Sequence, residues 1–349
     1  MSSPAIRKCL IAAGCTLSLV RCAAPAFAQD TAHGNRAFYI SFQVPGNFST
    51  VPTSINTFLN VVGVYVLNEP TGFARDAQGT FTSINPPMCS RTYFLSINDQ
   101  GAIAGWCQSG ATFQSFLRSP QGTFTLINCP GTPHPATYAY GINAEGAITG
   151  LCSGHAYVRS PQGTLTLFDA PGSTATAGYT INAAGAIAGV YYDVNDVQHG
   201  FVRHSNGTFS LFDIPGVIPS LIFSPLPFHI NAAGEITGTY QDSSNVNHGF
   251  VRSTQGMITS FDVPGSTQTY AFSINAAGLI TGWYLDSSNV NHGFLRSTQG
   301  MITSFDVPGS TGTEAVSIDD LGVITGSYIN GSTSLGFLRV PLLLAQHKP

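Results

Sequence analysis

The stretch AFSINAAGLITGWYLDSSNVNHGFLRSTQGMITSFDVP, from Ala271 to Pro308, decides the fold. Apolar and polar residues alternate within its pieces AFSIN, LITGWYLD, HGFLRS and MITSFDVP, and Asn, Gly, Ser or Pro separate them. A period of two broken by turn formers marks short strands joined by hairpins, and no helical period runs through it. The four strands are called b, c, d and a in chain order. Outward from this unit, the phrase Ile-Asn-x-x-Gly-x-Ile-x-Gly returns in close variants at Ile55, Ile97, Ile142, Ile181, Ile230, Ile274 and Ile318, so seven copies lie 39 to 49 residues apart. That spacing is the length of a propeller blade.

The b–c, c–d and d–a links are short enough for hairpins. The a–b link varies most, from PGSTQTY to the long Pro215–Phe228 stretch, and is therefore the expected crossing between blades. On this phasing the N-terminal piece Ala37–Val44 matches strand a but has no b, c or d before it, while the last copy ends at Arg339 without a clear strand a. The N-terminal strand then completes the last blade and removes the exposed edges of an open sheet. The expectation is an all-β, seven-bladed β-propeller of four-stranded blades, its ring closed by the N-terminal strand. A β-solenoid would use shorter rungs, and an open array would leave both end strands unpaired. Leu59 stands where the other copies carry a turn glycine.

The recurring phrases HGFLRS, SFDVPGS and INAAGxITGxY resemble the bacterial extracellular repeat family named for its His-Ala-Phe (HAF) motif, over nearly the whole chain past residue 28. The middle residue departs from that motif at His199-Gly200-Phe201, His248-Gly249-Phe250 and His292-Gly293-Phe294; His155-Ala156-Tyr157 keeps the alanine. The resemblance implies an exported repeat protein with no catalytic residues to transfer.

Residues 1–28 read as an export signal: Arg7 and Lys8 at the start, an apolar run from Cys9 to Val20, and the small-residue site Ala26-Phe27-Ala28. Cleavage after Ala28 would leave 29–349 as a single propeller domain, secreted or periplasmic. Losing Arg7, Lys8 and Arg21 reduces 13 basic residues to 10 against 17 acidic ones, a net charge of about −7, which argues against a nucleic-acid partner. No later stretch is long and apolar enough for a membrane helix. A monomer is expected, with no cofactor and no metal site.

Four cysteines remain after the signal: Cys89, Cys107, Cys129 and Cys152. An even number in an oxidising compartment points to disulfides, and no Cys-x-x-Cys pair suggests zinc. Cys107 and Cys152 follow Ile-x-Gly on strand c, and Cys89 and Cys129 lie in the crossings that enter strand b, so Cys89–Cys107 and Cys129–Cys152 are the preferred pairs. Four cysteines allow three connectivities, and Cys107–Cys129 stays open.

Hairpin register places the b–c and d–a turns on one monotonous face. The c–d loops and the a–b crossings, which carry nearly all the variation, lie on the other. Three c–d loops share an Asp-x5-His spacing: Asp193 with His199, Asp242 with His248, and Asp286 with His292. Such pairs could bind a ligand or metal, or simply close the loop by a hydrogen bond. The Val217–Phe228 insertion adds Leu221, Ile222 and Phe223 as an apolar candidate for partner binding. Arg75, Arg118, Arg159, Arg203, Arg252, Arg296 and Arg339 recur once per unit, two places after an aromatic, and are expected to pack over that aromatic and bond turn carbonyls. Asp169, Asp213, Asp262 and Asp306 are expected to cap the turn that follows them. No nucleophile elbow, zinc-protease or phosphate-loop motif occurs. The expected function is a binding or structural module for a glycan or protein partner. The alternative is a propeller hydrolase or lyase whose site lies in the central channel, betrayed by acids and histidines from several blades; repeated small residues there would favour the binder.

Overall fold

A computed structural model describes residues 29–30, 37–66, 68–87, 89–130, 136–214 and 228–342. The proposed export signal and Leu221, Ile222 and Phe223 lie outside the described residues. The strands form seven antiparallel sheets, each in the order b-c-d-a. In the sixth blade these are Gln268–Ile274, Ile280–Leu285, Asn291–Arg296 and Ile302–Phe305. The seventh blade closes as the phasing requires: Ala37–Phe42 pairs with Thr333–Pro341 from Ala37 opposite Pro341 to Phe42 opposite Gly336. Gln29–Asp30 adds a short fifth strand outside it. The fold is a seven-bladed β-propeller whose first and last segments share a sheet.

The packing follows from the repeat. Phe73, Phe116, Tyr157, Phe201, Phe250, Phe294 and Phe337, one per strand d, are each at most 1% exposed. Each belongs to a separate apolar cluster. Those clusters lie between blades: Phe337 meets Phe305 of the preceding blade edge-on at 6.3 Å, and Phe294 meets Phe261 in the same way at 6.1 Å. Burying one such ring contributes about 1.5–3 kcal/mol. The glycine of His-Gly-Phe is a packing requirement, because a Cβ on Gly293 would fall 2.5 Å from the Phe305 ring.

The arginines differ from expectation in one respect. Five guanidinium groups lie over the strand-a phenylalanine of the preceding blade and not over the aromatic of their own strand: Arg75 over Phe42, Arg203 over Phe168, Arg252 over Phe212, Arg296 over Phe261 and Arg339 over Phe305, at 4.7–4.9 Å; for Arg118 and Arg159 the residue in that place is Ile84 and Ile127. The turn-carbonyl bonds do form, as in Arg75 Nη1 to Asp76 O at 3.0 Å and Arg159 Nη1 to Ser160 O at 3.3 Å. Stacking a cation on the neighbour's ring makes each of these five arginines a clasp between blades. The partial burial this entails pushes the guanidinium pKa of Arg75, Arg203, Arg252 and Arg296 down.

Cys89 and Cys107 are joined with Cα atoms 5.8 Å apart, and Cys129 and Cys152 with Cα atoms 6.0 Å apart, both within disulfide reach. No helix among the described residues is long and apolar enough to cross a membrane.

Candidate functional site

Three c–d loops are singled out by their Asp-x5-His spacing. In each, the aspartate Oδ1 accepts main-chain N–H groups two and four residues on: Asn195 and Val197 for Asp193, Ser244 and Val246 for Asp242, Ser288 and Val290 for Asp286. These donors, led by the fourth-residue N–H, hold the three carboxyl groups below their ordinary pKa. The aspartate therefore closes its own loop. The histidine reaches it only from the side, with Nε2 at 3.7, 3.4 and 3.5 Å for His199, His248 and His292.

The closer partner of each histidine lies on strand a. Nδ1 of His199 is 2.5 Å from Asp213, that of His248 2.9 Å from Asp262, that of His292 2.9 Å from Asp306, and that of His155 2.8 Å from Asp169. The four strand-a aspartates thus bond to histidines. The turns after Asp169, Asp262 and Asp306 are held instead by threonine hydroxyls, as Thr176 Oγ1 accepts from Ala170 N, Thr269 Oγ1 from Val263 N and Thr313 Oγ1 from Val307 N. In the second blade Gln114 and Asn128 occupy the same two places and meet at 3.5 Å. An uncharged pair filling the same place identifies the histidine pairs as a d–a strand clasp. Among the described residues no group of three or more metal-ligating side chains exists. Phe228, the last residue of the insertion, is 5% exposed and packs between Phe212 and Phe250.

The central channel has a different character. Strand b is the innermost strand, and a bulge in six of the seven b strands offsets the ladder by one residue. The bulge lets two successive residues reach the axis, as Thr53 with Ser54, Tyr140 with Gly141, and Tyr179 with Thr180. One register then forms a belt of mostly small residues: Ser54, Ser96, Gly141, Thr180, His229, Ser273 and Ser317. They surround a cavity of about 370 Å³.

One sector of this wall is aromatic. Trp106 stacks on Tyr93 at 4.3 Å and meets Tyr138 at 5.1 Å and Phe113 at 5.5 Å. Tyr138 continues to Tyr140, and Tyr140 to Tyr179 at 5.3 Å. Trp106, Tyr140 and Tyr179 line the cavity. The Trp106 Nε1–H is buried and has no acceptor among the described residues. Burial pushes the phenols of Tyr140 and Tyr179 well above their ordinary pKa, so both remain neutral donors. Enclosure by the channel wall pushes His229 down to about 4, so its imidazole is neutral too. No carboxylate is among the described residues lining the cavity. The chamber is uncharged, flat and apolar on one side, and lined by hydroxyls on the other.

The mouth on the b–c turn face is uniform. The amide Nδ2 of Asn56 donates to the main-chain carbonyl of Asn98, Asn98 to Asn143, Asn143 to Asn182, Asn182 to Asn231, Asn231 to Asn275, and Asn275 to Asp319, at 3.0–3.2 Å. This asparagine belt ties each blade to the next and frames a second depression of about 230 Å³.

The described site candidates singled out from the sequence lie among the c–d loops, and none of them is on the channel wall. The aromatics of that wall stand at variable places of the repeat: Trp106, like Trp283, follows Ile-x-Gly, and tyrosines stand at 138, 140 and 179 in strand b.

No protein-family profile and no curated protein matches the chain. Among solved structures it is similar to puromycin hydrolase, with a TM-score of 0.58 and 11% identity over 87% of this chain; it spans 55% of that protein's length. It is also similar to the Dos1 propeller, with a TM-score of 0.52 and 9% identity, covering 84% of this chain and 93% of the other. At such identities the likeness concerns the fold alone.

Proposed function

We propose that this protein is an exported binding module of the HAF-repeat type that takes a neutral glycan into its central channel. The observation that carries this reading is the uncharged chamber with Trp106 and Tyr140 on one wall and serine and threonine hydroxyls on the other. Sugars offer apolar C–H faces to aromatic rings and hydroxyls to polar groups, and a wall without charge favours neutral rings over uronates or phosphates. A hydrolase or lyase reading would call for acid/base groups in the chamber, and His229 alone supplies none in a pair. Export is supported by the N-terminal segment and by two cysteine pairs suited to an oxidising compartment. Neutral oligosaccharides should bind and quench the fluorescence of Trp106 and Trp283, the only two tryptophans of the chain. A panel of neutral glycans that leaves both emission and calorimetric heat unchanged would refute the proposal.

A further inference from the structure

The asparagine belt has six amide links, and its seventh position is Asp319. Asp319 Oδ1 repeats what each asparagine Oδ1 does, accepting from Val323 N at 2.8 Å as Asn275 Oδ1 accepts from Leu279 N at 3.0 Å. Its Oδ2 therefore takes the place of the donating Nδ2. By the same register the group it faces is the main-chain carbonyl of Asn56, across the seam between the last blade and the first. Asp319 is 4% exposed and Asn56 3%, and Asp319 Oδ2 is buried with no hydrogen-bond partner among the described residues. Two acceptors facing each other in a buried site repel.

We propose that the missing link is a proton: Asp319 as the neutral acid donates Oδ2–H to the carbonyl of Asn56 and closes the belt, and its ionisation opens the belt at the seam. The charged groups that reach Asp319 are both acidic. Asp320 lies on its own turn and bonds Ala276 N, and Asp99 lies on the b–c turn of the second blade and bonds Thr57 N. Burial first, then these two carboxylates, push Asp319 up to about 6, while the N–H groups of Val323 and Leu321 pull it down. The folded value lies above the ordinary 3.8, so this contribution is fully present below about pH 4 and is lost as pH rises through 6. The seam is thus tight in acid and loosened at neutral pH, next to the mouth of the channel.

The test is thermal unfolding of the full chain and of Asp319→Asn from pH 4.5 to 8. The asparagine variant has all seven amide links and no titrating group, so its Tm should lie within about 2 °C of the natural protein's at pH 4.5 and exceed it by about 5 °C at pH 8. The difference should grow up to about pH 6 and level off above it, and Asp320→Asn should move that levelling-off point down by removing a neighbouring negative charge. A difference that does not change with pH, or an Asp319→Asn variant that is less stable at pH 8 or fails to fold, would overturn the proposal.

Discussion

The outer strands and the inner strand of each blade carry different histories. On strands d and a, the buried aromatic occurs in every blade, the arginine clasp is seen at five junctions, and the histidine–aspartate pair recurs in four consecutive blades. On strand b above the asparagine belt the blades differ: His229 stands where most other blades show serine or threonine, and the place of Tyr140 and Tyr179 is filled elsewhere by Thr53, Leu95, Phe228, Phe272 and Val316. Interactions copied into many blades hold the ring together. Residues that break the copy face the axis, where packing does not dictate them and a ligand can.

Breaking the shared frame should have the largest effect. Deleting residues 37–44 removes the strand that closes the seventh blade, and it should lower the unfolding temperature sharply or leave the protein insoluble. A melting curve unchanged by that deletion would count against ring closure. Phe294→Ala empties the centre of one inter-blade cluster and should cost about 3–5 kcal/mol in denaturant unfolding.

The histidine clasp should matter far less, since Gln114 and Asn128 stand in for it without charge. His248→Gln should lower stability by about 1 kcal/mol or less, as befits a pair half open to solvent. A loss as large as that of Phe294→Ala would mean the clasp is a principal strut. The smallest change should come from Leu59, which holds a φ of +62° where other copies have glycine but also packs against the first-blade cluster, so Leu59→Gly should change stability by less than about 1 kcal/mol in either direction.

The frame was legible in the sequence because a repeat reports itself many times. Seven spaced Ile-Asn phrases and an orphan strand at Ala37–Val44 suffice for the blades and the closure, and a fixed place on strand c for Cys107 and Cys152 favours the cysteine pairs without settling them. Contacts between blades were less legible. Spacing along strand d puts Arg296 on the same side as Phe294, but only the ring geometry brings Phe261 beneath the guanidinium. The partnership of His292 with Asp306 lay within reach, because a d–a hairpin that pairs Gly293 with Phe305 sets those two residues side by side. The channel was hidden for another reason: nothing in the alternation says which edge of a blade faces the axis, so Trp106 and Tyr140 read as ordinary strand aromatics.

The most direct test of the channel as the site is calorimetric titration of a neutral oligosaccharide that binds the natural protein, repeated on Trp106→Ala and His248→Gln with melting curves for both. The expected result is a loss of at least about tenfold in affinity for Trp106→Ala, on the scale of one lost aromatic stack, and unchanged affinity for His248→Gln, with both variants folded. Full binding by folded Trp106→Ala, or binding abolished in folded His248→Gln, would contradict it and return the site to the loop face.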